Sequence, residues 1–144
     1  RMDPLALLNG TQTPEQIWEF IETHTDEQHA VLVYSSDTPE MVRRSQELGR
    51  EKIASMLEQL SARLAEKAVE HGFTRIICAG GETSGAITKG LHFSSYEIGE
   101  SIAPGVPVMI PALRPDIRLV LKSGNFGQED FFGRALSMTG QNSY

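Results

Sequence analysis

The sequence has very little cysteine, few basic residues and no long apolar run. Cys78 is the single cysteine among 144 residues, which excludes an internal disulfide and a zinc site built from several cysteines. Lys and Arg number 13 against 19 Asp and Glu, so the formal charge is -6 and a broad nucleic-acid surface is not expected. No apolar segment approaches the roughly 18 residues of a membrane span. We therefore expect no nucleic-acid or membrane partner, and a reducing cytoplasm as the location.

The periodicity of apolar residues predicts helices that alternate with strands. Thr13 and Gln16 form a capping box before one helix, and Gly49 is expected to kink or divide a long helix that ends at Gly72. The predicted strands are "HAVLVYSS" (29–36), "TRIICAG" (74–80), "SSYEIGESI" (94–102), "VPVMIPA" (106–112) and "IRLVLKSG" (117–124). This order predicts one α/β domain over residues 1–144, a layered sandwich whose largely parallel sheet is flanked by helices, with room for one or two antiparallel strands.

Two glycine-rich segments follow two of these strands directly. They are "GGETSG" (80–85) and "KSGNFG" (122–127). Because loops that follow parallel strands leave from the same edge of a sheet, we expect both segments to open on one side of the domain. Glycine lets backbone N–H groups approach a ligand closely, and the start of a helix favours negative charge. The pair predicts a phosphate cradle, and two ordinary tight strand-to-helix turns are the alternative.

The residues of the first loop exclude three familiar motifs. Gly80 and Gly85 have P-loop spacing, but Ala86 stands where the lysine must be. The adjacent pair Gly80 and Gly81 breaks the dinucleotide fingerprint, and Ser84 lies one position too late for a hydrolase elbow. The loop is therefore neither a Walker A loop nor a nucleophile elbow.

The polar residues of the two loops each admit two interpretations. Glu82 reaches a ribose hydroxyl or a hydrated Mg²⁺, or it only complements the helix dipole. Lys122 supplies a charge to a phosphate or is simply solvated. Asn125 binds a ligand or caps the last helix. Cys78 lies inside its strand, where a small buried residue is favoured over a nucleophile.

The chain resembles the C-terminal, nucleotide-binding domain of the four-carbon acid sugar kinases, which include 3-oxo-tetronate, threonate and erythronate kinases. The matching segments keep the family's order over nearly the whole chain: "MDPLALL", "VLVYSS", "AGGETSGAI", "IAPGVPV" and "LKSGNFGQEDFFGRAL". The resemblance implies ATP-dependent phosphorylation of a small sugar acid, with ATP and Mg²⁺ as cofactors. It implies nucleotide contacts at Gly80, Gly81, Glu82, Thr83, Ser84 and Gly124, with Asn125 as a neighbouring assignment.

The chain departs from that family in its length. Family members carry an N-terminal domain that binds the acid sugar, and their nucleotide domain begins upstream with a strand and a "GSCS"-like loop. Neither is present here, so we expect a C-terminal piece of a longer two-domain kinase that has negligible activity alone. No catalytic residue and no protein metal ligand is assigned, and homo-oligomerisation stays open.

Two rival functions stand beside the kinase. One is a non-catalytic module that senses a nucleotide with the same loops. The other is a phosphosugar-binding enzyme, such as an isomerase, that uses the loops for a single phosphate. The first predicts ATP binding without consumption, and the second predicts competition by inorganic phosphate without a preference for adenine.

Overall fold

The computed structural model describes residues 1–124 and 128–140. They fall into two compact units, Arg1–Leu60 and Ser61–Tyr144. The expectation of a single domain over residues 1–144 stays a prediction. None of the helices in the described part of the chain is long and apolar enough to cross a membrane.

The first unit is helical. It contains α1 (Pro4–Asn9), α2 (Pro14–His24), α3 (Pro39–Gln46) and the first part of α4 (Arg50–Glu70). At the start of α2, the Thr13 side chain accepts a hydrogen bond from the Gln16 amide, and the Gln16 side chain accepts one from the Thr13 amide. This reciprocal pair satisfies two amides that have no partner inside the helix, and the predicted capping box is confirmed.

Of the two outcomes expected at Gly49, a kink or a division of the helix, the structure shows the division. Gly49 has φ +110° and separates α3 from α4, and Gly72 has φ +86° just after α4 ends. Residues other than glycine rarely adopt such angles, so both positions interrupt the helical path.

The prediction of a strand at residues 29–36 is wrong, because this segment joins no ladder among the described residues. Within this segment, the Tyr34 carbonyl accepts a hydrogen bond from the Met2 amide at 2.7 Å. Leu32 is 63% exposed and Tyr34 is 44% exposed. A β-branched apolar run is compatible with a strand, but a strand also needs a hydrogen-bonded neighbour.

The second unit is built around a four-stranded sheet in the order β1-β4-β3-β2. The strands are β1 (Arg75–Ala79), β2 (Tyr96–Ala103), β3 (Val106–Pro111) and β4 (Arg118–Lys122). Helix α5 (Gly81–Leu91) follows β1, and α6 (Phe131–Gly140) follows β4. The strands and helices predicted for this part of the chain are therefore confirmed.

Helices cover both faces of this sheet, because side chains alternate along each strand. On one face, Ile77 and Val120 pack with Phe131 and Ala135 of α6. On the other face, Cys78 and Leu119 pack with Ala65 of α4 and with Ile87 and Leu91 of α5. The α/β sandwich predicted from the sequence is confirmed by these two apolar layers.

The described strands form a mixed sheet, in which β1 pairs with β4 in parallel while β2 pairs with β3 and β3 pairs with β4 in antiparallel fashion. Strand β3 therefore runs opposite to the other three described strands, and the sequence analysis left room for one or two such strands. The physical reason is the connection between β2 and β3, a short turn through Pro104 and Gly105. A parallel neighbour needs a crossover of a dozen or more residues, whereas a short turn makes a hairpin.

Candidate functional site

The parallel pair of strands brings the two glycine loops to one edge of the sheet. Ala79, the last residue of β1, is in register with Lys122, the last residue of β4. Both chains therefore leave the sheet side by side and in the same direction. This register brings the starts of the two glycine-rich segments to one edge of the sheet, which is the arrangement predicted from the sequence.

Two contacts join the loops directly. The Gly80 amide donates a hydrogen bond to the Lys122 carbonyl at 2.7 Å. A Cβ atom built on Gly81 would lie 3.8 Å from the Ser123 Cβ atom. Because Gly80 and Gly81 have no side chains, their exposed backbone lies close to the start of the second loop at Lys122 and Ser123.

The turn between β1 and α5 depends on glycine. Gly80 has φ +112° and ψ +131°, a conformation that is strained for residues with a side chain. Gly80 is also the N-cap of α5 and makes no side-chain cap hydrogen bond. Because the first amides of a helix lack carbonyl partners inside the helix, this end of α5 presents donors and a partial positive charge. Those are the properties that a phosphate group requires.

Lys122 contributes the basic group at this edge. Its Nζ atom donates a hydrogen bond to the Gly124 carbonyl at 2.8 Å and lies 5.7 Å from the centroid of the Phe131 ring. Gly124 itself has φ +59°. The lysine therefore holds the second loop at its start and places a positive charge beside Phe131 at this edge of the sheet.

The candidate site residues differ in exposure. Gly80, Gly81, Glu82 and Gly124 are exposed, and Thr83 is half-buried. Ser84 is only 7% exposed, and its Oγ atom has no hydrogen-bond partner in the described structure. The Ser84 hydroxyl faces the protein interior, so a soluble ligand meets the four exposed residues first. Asn125 lies outside the described residues.

The site can be tested for its fit to a magnesium nucleotide. The glycine amides, the uncapped start of α5 and the Lys122 ammonium suit a phosphate chain. No cluster of three or more metal-binding side chains occurs within residues 1–124 and 128–140. Mg²⁺ in nucleotide sites is usually held by one or two carboxylates, phosphates and water, and Glu82 is the exposed carboxylate within the first loop.

A cleft beside Lys122 was not anticipated from the sequence. It lies between the β2–β3 turn and the start of α6, and Phe131 and Asp130 are among its lining residues. The turn reaches this edge because β3 runs antiparallel to β4, with Val108 opposite Val120. The sequence signal was "IAPGVPV", whose Pro-Gly pair marks a hairpin turn.

Cys78 is a buried structural residue close to the site. It is 3% exposed, and burial raises the pKa of its thiol to about 12. The predicted buried role is confirmed by this environment, since the thiolate is the reactive form.

We expect the folded protein to resist thiol reagents because of that burial. At pH 8 the Cys78 thiol should react with a chromogenic disulfide such as Ellman's reagent at least about a hundredfold more slowly than in unfolded protein. Absorbance with and without urea measures both rates. Equal rates in the two conditions would contradict the buried placement of Cys78.

Comparison with known proteins identifies the family. The model of the nucleotide-binding C-terminal domain matches residues 1–132. The chain belongs to this family. The matched residues include both glycine loops, and the family is named for nucleotide binding.

Curated relatives and a solved structure agree with this assignment. The chain is 40% identical over 139 residues to a 3-oxo-tetronate kinase of Actinobacillus succinogenes, covering 96% of this chain and 33% of that protein. It is 41% identical over 137 residues to a 3-oxo-tetronate kinase of Pseudomonas fluorescens, covering 94% and 31%. A crystal structure of a Haemophilus influenzae protein superposes with a TM-score of 0.87 at 36% identity, covering 96% of this chain and 34% of that one. The chain therefore spans about a third of the length of these relatives.

Proposed function

We propose that this chain is the ATP-binding part of a kinase that phosphorylates a four-carbon acid sugar of the 3-oxo-tetronate, threonate or erythronate type. The observation that carries the proposal is the meeting of the two glycine loops, through the Gly80 to Lys122 hydrogen bond, at one edge of the sheet. Relatives that are about 40% identical and are named 3-oxo-tetronate kinase support the choice of reaction.

The proposed roles follow from the geometry of the loops. The amides of Gly81 and Thr83 bind the phosphate chain at the start of α5. The Gly80 amide is already bonded to the Lys122 carbonyl, so Gly80 contributes by having no side chain beside the phosphates. Lys122 neutralises part of the phosphate charge, and Gly124 lies in the second loop beside it. Asn125 is kept as a proposed contact on the strength of the family resemblance alone. Ser84 is retained as a contact that needs a change of side-chain rotamer, because its hydroxyl is now buried.

Phosphoryl transfer requires positioning and charge neutralisation more than covalent chemistry. ATP supplies the phosphoryl group, and Glu82 is the residue proposed to hold water around the accompanying Mg²⁺. We assign the acid-sugar site to the part of the kinase relatives that this chain does not span. A catalytic base from that part would take the proton of the acceptor hydroxyl.

Calorimetry on the 144-residue chain tests the nucleotide half of the proposal. We expect Mg-ATP to bind with a dissociation constant between about 1 μM and 1 mM, the usual range for enzyme substrates. A coupled assay for ADP release should show negligible turnover of threonate, erythronate or 3-oxo-tetronate by this chain alone. Absence of Mg-ATP binding would contradict the proposal, as would ATP displacement by inorganic phosphate at equal concentration.

Calorimetry and the ADP-release assay on a longer protein that includes this chain distinguish the rival functions. A kinase consumes ATP when one of the four-carbon acids is added. A nucleotide-sensing module binds ATP and leaves it intact with every acid in the panel, and a phosphosugar isomerase prefers sugar phosphates to ATP.

A further inference from the structure

The cleft beside Lys122 has the size and lining of a small-molecule site. Its volume is about 410 Å³, within the range of about 300 to 1,000 Å³ found for ligand pockets. Ile102, Pro104 and Phe131 give it an apolar wall, and Asp130 and Arg134 are polar lining residues. Ile102 and Phe131 are 0% and 3% exposed, so that wall belongs to the rigid core of the second unit.

The cleft lies close to the edge that carries the glycine loops. Phe131 lines the cleft, and its ring centroid lies 5.7 Å from the Nζ atom of Lys122. The Lys122 carbonyl in turn accepts a hydrogen bond from the Gly80 amide. Lys122 therefore connects the first glycine loop with the residue that lines the cleft.

We infer that this cleft holds the nucleoside of the bound nucleotide, with Asp130 accepting hydrogen bonds from the ribose hydroxyls. The inference rests on the proposed function, because it extends a phosphate chain that the glycine loops are proposed to bind. It adds a second recognition element to the site, formed by the β2–β3 turn and the first turn of α6.

The charges of the lining favour a nucleoside over another phosphate. A carboxylate repels a phosphate but accepts hydrogen bonds from vicinal hydroxyls, which are donors. Among the apolar lining residues, the exposed Pro104 offers a surface to the face of a planar base, while Ile102 and Phe131 are buried and fix the position of the cleft. A phosphate in the same place would be favoured by Arg134 and by the start of α6, but it would lie against the Asp130 carboxylate.

Calorimetric titrations with three magnesium-loaded ligands test the inference on the 144-residue chain. The ligands are ATP, 2′,3′-dideoxy-ATP and inorganic tripolyphosphate. We expect unmodified protein to bind ATP about tenfold more tightly than dideoxy-ATP, since hydrogen bonds to a carboxylate contribute about that much. The Asp130→Asn variant should bind ATP about tenfold more weakly and dideoxy-ATP almost as tightly as the unmodified protein does. The reason is that the substitution in the protein and the missing hydroxyls in dideoxy-ATP remove the same contact.

The matched control is Glu129→Gln, which makes the same change in charge one residue away from Asp130. Glu129 is exposed and is not one of the cleft residues, so its variant should bind all three ligands as the unmodified protein does. Circular dichroism of both variants shows whether the fold is kept.

The outcomes separate this inference from the proposed function. Tripolyphosphate that binds well, together with equal effects of Asp130→Asn on ATP and dideoxy-ATP, overturns the nucleoside assignment and leaves the phosphate loops in place. Failure of both ATP and tripolyphosphate to bind overturns the proposed function, and the inference falls with it. An equal loss in the Glu129→Gln variant also overturns the role of Asp130.

Discussion

An aspartate in place of Gly81 is expected to weaken Mg-ATP binding by at least about a hundredfold. Gly81 is exposed, begins α5 and faces Ser123 across the two loops. A carboxylate there would stand beside the triphosphate, where one unit charge about 4 Å away costs about 4 kcal/mol at an effective dielectric constant of 20. Calorimetry with Mg-ATP measures the loss.

The same substitution should leave the fold intact, because a negative charge in the first turn of a helix is stabilising. A Cβ atom at Gly81 also meets nothing closer than 3.8 Å. The Tm should therefore stay within a few degrees of that of the unmodified protein, so that lost binding reports on the site itself.

Gly85→Asp provides the matched control for this prediction. Gly85 is an exposed residue of the same helix, and no atom lies within 4 Å of its Cβ position. Its variant carries the same added charge one turn further from the loops and should lose only a few-fold in affinity. Unchanged ATP binding by the Gly81 variant, or equal losses in both variants, would refute a phosphate site at the start of α5.

Replacing Leu119 with alanine is expected to lower the free energy of unfolding by about 2 to 5 kcal/mol. Leu119 is 0% exposed and lies in β4 between Ile76 of β1 and Met109 of β3. Its side chain packs in the apolar layer beneath α4 and α5. Truncation removes buried methyl groups and leaves a cavity that neighbouring strands cannot close. Urea denaturation followed by circular dichroism gives the change.

Leu113→Ala is the corresponding control, since Leu113 is 80% exposed. Its effect on the free energy of unfolding should stay within about 0.5 kcal/mol. A similar loss in the two variants would mean that Leu119 does not lie in the core of the sheet.

The helices and most strands of this protein are predictable because their signals are local. The capping box of Thr13 and Gln16 and the helix break at Gly49 depend on residues a few positions apart. The error at residues 29–36 has the opposite origin. Their apolar, β-branched composition favours a strand, but strand formation depends on a partner that the segment itself does not specify.

The direction of the strands was harder to predict than their existence. The Pro104 and Gly105 turn signals a hairpin, yet alternation of strands with helices favoured parallel pairing in the sequence analysis. The one parallel pair, β1 with β4, is sufficient to bring the loops together. The meeting of Gly80 with Lys122 could thus be anticipated even though the antiparallel pairing of β3 with β2 and β4 was not.

The cleft could not be predicted, because it depends on the packing of one element against another. In the sequence, Asp130 and Phe131 have no feature that distinguishes them from other residues at the start of an amphipathic helix. Their importance appears only when the β2–β3 turn lies opposite them. The burial of the Ser84 hydroxyl is a similar case, since sequence alone does not tell which side of the first helical turn faces the interior.

The pairing of β1 with β4 joins segments about forty residues apart in the chain. Contacts over such separations form late, because a long loop must be closed before they are gained. A newly made chain is therefore expected to form its helices and its hairpin before the two glycine loops meet. Since a ligand stabilises only the state that binds it, a nucleotide at the proposed site would stabilise molecules in which this last pairing is complete.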